Sequence, residues 1–106
     1  MNLLETQAQF EELWFDKEHP DQTWIVYFTA AWCGPCKALD CDAIAAAATA
    51  KNISVYKCDY VQNEYTPGYC SVKAFPTFMY MSPKKIKATF RSNQTSEVLT
   101  WIDSLS

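Results

Sequence analysis

The sequence predicts an α/β fold built on a central mixed β-sheet with helices on both faces. Three observations predict it. Residues 24–29 and 53–59 are runs of apolar and β-branched side chains, the pattern of strands buried on both faces. An alanine-rich stretch of helical character lies between them, and two such strands joined through a helix make a parallel βαβ unit. Residues 77–81 and 86–91 then alternate about Ser82-Pro83 as a hairpin, which adds antiparallel strands.

Each element has a local reason. Thr6 is suited to cap a helix running to about Lys17, with Phe10, Leu13 and Trp14 at helical spacing on one face, and His19-Pro20-Asp21 ends it. The run 24–29 leads straight into a pair of cysteines. From Pro35 the alanine-rich stretch through Ala50 reads as one helix whose small side chains allow close approach to a sheet. A short amphipathic helix closes the chain, capped at Thr95 or Ser96 and presenting Leu99 and Ile102. No repeat, linker or low-complexity tract interrupts this order apart from the alanine run.

Length and composition fit one domain spanning residues 1–106, with 49% hydrophobic and 15% aromatic residues to fill a core. The start, Met1-Asn2-Leu3-Leu4-Glu5, has no basic region followed by an apolar stretch, and no segment is apolar enough to span a bilayer. The expectation is a cytoplasmic protein without membrane attachment. Five cysteines are an odd count, which a reducing compartment explains more simply than a secreted disulfide scaffold does. A net charge of −3 argues against nucleic-acid binding, and the one basic cluster, Lys84-Lys85-Ile86-Lys87, alternates like an exposed strand.

The chemistry concentrates in Trp32-Cys33-Gly34-Pro35-Cys36-Lys37. With Pro35 and Cys36 in a first helical turn, Cys33 stands at the helix start and Cys36 one turn on, so both sulfurs fall on one face within bonding reach. Cys33 is expected to be exposed and Cys36 tucked beneath it. Unpaired N–H groups and the positive end of the helix dipole favour thiolate, lower the pKa of Cys33 and make it the nucleophile. Pro35 suits the first turn because its missing N–H costs nothing there, and Gly34 leaves room for a partner's backbone. Half of a zinc site or a static bridge are the alternatives. Zinc wants a second Cys or His pair at ligand spacing, and Cys58 and Cys70 are too far apart to form one. The reading calls for no metal and no other cofactor.

The run Tyr27-Phe28-Thr29-Ala30-Ala31-Trp32-Cys33-Gly34-Pro35-Cys36-Lys37, followed by Val72-Lys73-Ala74-Phe75-Pro76-Thr77-Phe78, resembles the thioredoxin family, and the element order matches over essentially the whole chain. The resemblance implies the thioredoxin fold and a protein-disulfide reductase. It implies a cis peptide before Pro76, set against the cysteine pair, that offers the Phe75 N–H and C=O to a substrate segment. It makes Trp32 an aromatic flank covering the sulfurs, and Gly34-Pro35 between the cysteines goes with reductants rather than more oxidising relatives. Two exchanges follow. Cys33 thiolate attacks a substrate disulfide to give a mixed disulfide, and Cys36 then attacks the Cys33 sulfur and releases reduced substrate. The implied partners are disulfide-containing proteins and a thioredoxin reductase or other electron donor, with the chain itself a monomer serving electron transport and cell redox homeostasis.

Departures from the family pattern bear on the second exchange. Where the family usually buries an aspartate that helps take the proton from the second cysteine, this sequence has Tyr27, and a phenol is a poor base near neutral pH. Lys57 resembles that acid's usual lysine partner, and Asp59 lies one face-repeat further along the strand. Cys36 must lose its proton to water, to the leaving thiolate or with help from another group, with Tyr27 and Lys57 as the residues that tune the step. The plain alternative for Tyr27 is a packed core tyrosine. Thr29 replaces the family's tryptophan, Cys41 its helix-kinking proline, which should leave the helix straighter, and Ser92 its glycine on the substrate-receiving surface.

The other cysteines divide by position. Cys58 reads as core packing, Cys41 shares the helix of Cys36, and Cys70 falls near the substrate face, where it could pair with a partner or a second copy. An oxidase or isomerase of the same fold, or a non-catalytic interaction subunit, are the competing functions.

Overall fold

In the computed structural model, which describes residues 1–105, the elements are β1 (Asn2–Leu3), α1 (Gln7–Trp14), β2 (Trp24–Thr29), a single 3-10 turn (Pro35–Ala38), α2 (Cys41–Thr49), β3 (Ser54–Asp59), α3 (Tyr65–Tyr69), β4 (Thr77–Ser82), β5 (Lys85–Phe90) and α4 (Thr95–Ser104). The strands form one five-stranded sheet in the order β1-β3-β2-β4-β5. Strand β2 lies at its centre, parallel to β3 from Trp24↔Ser54 to Thr29↔Asp59 and antiparallel to β4 from Trp24↔Met81 to Phe28↔Thr77. No residue of β2 is more than 5% exposed, so both of its faces are covered. Ile25 and Tyr27 join a core with Ile44 and Ala48 of α2 and Val98 and Ile102 of α4. Trp24, Val26 and Phe28 face the other way, onto Phe10 of α1 with Cys58 and Met81. The mixed sheet with helices on both faces is thus the one the sequence predicts. No helix among the described residues is long and apolar enough to cross a membrane.

Helix α1 begins as expected, with a capping box in which Thr6 Oγ1 accepts from Gln9 N–H while Gln9 Oε1 accepts from Thr6 N–H. It ends at Trp14 rather than near Lys17. Asp16 accepts from Glu18 N–H and pairs with His19 Nδ1 at 2.8 Å, and this local bonding competes with another helical turn.

A larger correction concerns residues 35–50, which do not form one helix. The turn Pro35–Ala38 stops at Leu39, whose backbone is extended (φ −83°, ψ 135°) and whose side chain enters the core. Asp40 then caps a separate helix, its Oδ1 accepting from Ala43 N–H at 3.1 Å. Replacing the family's proline by Cys41 therefore straightens nothing, because the chain breaks immediately before that residue. The Asp40 N–H also donates to Thr95 Oγ1 at 3.0 Å, which ties the break to α4. Thr95 is accordingly the first residue of that helix, with Gln94 at the cap position. At its other end Lys51 Nζ donates to the carbonyls of Ile102, Asp103 and Leu105, a cation closing a helix C-terminus.

Asp40→Ala is expected to cost about 1 kcal/mol, the usual worth of a side-chain N-cap, while Asp40→Asn costs a few tenths at most. Urea unfolding midpoints at constant slope check this; equal midpoints for wild type and the alanine variant would contradict it.

Candidate active site

The end of β2 delivers the cysteine pair. After Thr29 the chain turns so that Cys33 N–H donates to Ala30 O at 2.9 Å, and the 3-10 turn follows at once. Cys33 and Cys36 are joined as a disulfide with Cα atoms 5.4 Å apart, as the spacing allows. Neither is exposed: Cys33 is 4% and Cys36 6% accessible, because the bridge turns Cys33 Sγ inward beside Cys36. Trp32, Gly34 and Pro35 face outward, as do Ala31, Lys37 and Ala38. A four-residue turn carries little macrodipole, so the polar support for a Cys33 thiolate is local. Cys36 N–H donates to Cys33 Sγ at 3.2 Å. Gly34 has an ordinary helical backbone (φ −60°, ψ −51°), and a Cβ built there would meet no atom within 4 Å, so the space it leaves open is outside the protein.

An aromatic ridge runs beside the bridge. Trp32 is 66% exposed and stands edge-on to Phe75 at 5.7 Å, and Phe75 in turn meets Tyr60 at 5.6 Å. The Phe75-Pro76 peptide is cis, as the resemblance implies. Tyr60 was not singled out by the sequence, although its place just past the carboxyl end of a parallel strand, where α/β sheets gather their ligands, is a usable signal.

Beneath the bridge lies a cavity of about 280 Å³ lined by both cysteines together with Tyr27, Lys57, Asp59 and Cys41. Tyr27 is 2% exposed and stacks on Phe78 with ring centroids 4.8 Å apart, so it packs as a core residue while its Oη reaches Cys36 O at 3.5 Å. Burial pushes the phenol pKa up, opposed in part by a hydrogen bond with the Thr29 side chain, so Tyr27 holds its proton at neutral pH. Lys57 lies opposite Tyr27 in the β2–β3 register. Ser92 belongs elsewhere. Its hydroxyl donates to Glu97 Oε1 at 2.5 Å and accepts from Gln94 N–H at 3.0 Å, which organises the start of α4.

The three remaining thiols are free. Cys41 is half-buried on the cavity, and desolvation raises its pKa against the pull of Lys57. Cys58 is inaccessible and Cys70 5% accessible, and burial pushes both thiols up to about 12. Cys70, which the sequence left able to pair with a partner or a second copy, is buried and presents no sulfur at the surface.

A sequence model described as Thioredoxin matches residues 3–104. The chain belongs to the thioredoxin family. It is 31% identical to thioredoxin of Geodia cydonium over 80% of this chain and 78% of that one. It is also 38% identical to Thioredoxin-1 of Caenorhabditis elegans over 70% of this chain and 63% of that one. The crystal structure of Fasciola hepatica thioredoxin superposes with a TM-score of 0.80 at 30% identity, covering 97% of each chain. With its Cys33–Cys36 pair, this member of the thioredoxin family is a thiol-disulfide oxidoreductase, a class that acts on disulfide-containing proteins with a reductase as electron donor.

Because the fold raises the Cys58 and Cys70 pKa from 9.0 to about 12, it holds those protons more tightly than the unfolded chain does. The resulting stabilisation is complete below pH 9 and is lost as the pH rises toward 12. Alkylating reagent at about pH 8 should thus reach both thiols only as fast as the protein unfolds. The denaturant midpoint should fall above pH 9, and fall less in a Cys70→Ala variant. Rapid native-state labelling of either thiol would contradict the assignment.

Proposed function

We propose that this protein is a cytoplasmic reductase of protein disulfides that works through a mixed disulfide on Cys33. The observation that carries the reading is the bridge itself, set in a turn whose outer side is open. Apart from its chain neighbours, a Cβ built at Gly34 meets nothing within 4 Å, so a substrate backbone can pass there. Cys33 is the attacking sulfur, supported by the Cys36 N–H, and Cys36 is the resolving one. In the forward cycle the reduced pair gives two electrons to the substrate disulfide and ends as the Cys33–Cys36 bridge; a separate electron donor then reopens it.

Substrate contacts follow from what surrounds the bridge. Trp32 and Phe75 supply apolar area beside the reacting sulfurs. The Phe75 N–H and C=O join no hydrogen bond among the described residues, which leaves them for an incoming strand. Gly34 and Pro35 form the floor over which the substrate lies, and Pro76, itself buried, acts through the cis peptide that it forms with Phe75. The Ser92 hydroxyl proton is engaged by Glu97, so toward a substrate Ser92 offers an acceptor and added bulk rather than a donor. Lys57 tunes the cavity electrostatically, and Tyr27 supplies bulk without a titrating charge.

Insulin reduction by wild type should exceed that of Cys33→Ser at every pH near neutrality, and Cys36→Ser should accumulate a covalent adduct of enzyme and substrate visible by mass. A wild type no faster than Cys33→Ser defeats the reductase reading. Tyr27→Asp loses the ring stacked on Phe78 and should cost about 3 kcal/mol of stability, yet resolve its mixed disulfide faster than wild type. Equal resolution rates across neutral pH would show that the phenol is not what limits that step.

A further inference from the structure

A thiol must lose its proton before it can displace another sulfur, and nothing yet described takes the proton from Cys36. Tyr27 cannot, since burial holds its own proton in place. A protonated lysine has no lone pair to offer, so Lys57 can stabilise a thiolate but cannot accept from the thiol. Asp59 is the carboxylate on the cavity that holds Cys36. In the parallel register it pairs with Thr29, two residues nearer the cysteine loop than the Tyr27–Lys57 pair, and residues paired in this way share a sheet face. Its Oδ1 accepts from Val61 N–H at 2.9 Å, which fixes the group at the strand end. The cavity that Asp59 and Cys36 both line, of about 280 Å³, has room for water.

We propose that Asp59 accepts, through cavity water, the proton that Cys36 Sγ loses as it attacks Cys33 Sγ. The assignment rests on the mixed-disulfide reading above. In the step the Cys36 S–H proton passes to Asp59 while the Cys36 sulfur bonds to Cys33. The Cys33–substrate S–S bond breaks, and its electron pair leaves on the substrate sulfur. Asp59 then gives its proton to that thiolate or to solvent water, and either route restores the carboxylate.

The test follows reduced protein mixed with one equivalent of the chromogenic disulfide of nitrothiobenzoate. A first release of coloured thiolate reports attack by Cys33 and depends on reagent concentration; a second, independent of it, reports resolution by Cys36. Asp59→Asn keeps an oxygen for Val61 N–H. It should slow the second release about tenfold or more while leaving the first within about twofold, and Asp59→Glu should recover most of the loss. Electrostatics alone predicts the reverse, because removing a negative charge from the cavity eases thiolate formation. An unchanged or faster second release in Asp59→Asn overturns the proposal. So does a slowing of both releases together, which would make Asp59 a support of the turn. Loss of the first release from wild type would instead defeat the reductase reading itself.

Discussion

Strand β2 has no side that faces water, and the placement of everything near the disulfide follows from that burial. Its six residues are held by β3 on one edge and β4 on the other, with helix side chains over both faces. A segment so enclosed has almost no freedom in register, because a slip of one residue would exchange its two sets of core side chains. The turn that follows it inherits that rigidity. Cys33 and Cys36 are thus fixed relative to the carboxyl ends of β2 and β3, and Tyr60, just past the end of β3, meets Phe75 of the aromatic ridge.

The same burial limits what chemistry the cavity can hold. A carboxylate at position 27 would sit on the inner face against Phe78 and would need a partner for its charge. A tyrosine there fills the space with a stacked ring, and its hydroxyl is met by Cys36 O and the Thr29 side chain. Titrating charge is displaced instead to β3, where Lys57 and Asp59 are half-buried at the cavity wall and keep some access to water.

Much of this was legible in the sequence, and the exceptions have a common cause. The bounds of β2 could be read directly because an unbroken apolar run has few other solutions, and the sulfur pairing followed from spacing alone. Residues 35–50 misled because alanine propensity is summed over many positions, while the break depends on one carboxylate and one buried leucine. Helix α3 contains Pro67 and Gly68, which argue locally against a helix. A contact distant in sequence helps hold it, Thr66 Oγ1 donating to Gln7 Oε1 at 2.7 Å, beside a local one in which Thr66 Oγ1 accepts from Asn63 Nδ2 at 2.8 Å. Two residues of β1 are too few to show any period. At the site, what the sequence could not reveal was which side chains from separate strands meet under the bridge.

Five cysteines could in principle shuffle among many disulfide pairings, yet the fold leaves one pair free to trade partners. Cys58 and Cys70 are withdrawn from solvent and kept as thiols, and Cys41 is disfavoured as a thiolate by its half-buried place on the cavity wall. Exchange through that one pair moves the molecule between two oxidation states separated by two electrons. That makes its redox level a well-defined quantity, so it can equilibrate with a donor and an acceptor without retaining a memory of earlier encounters.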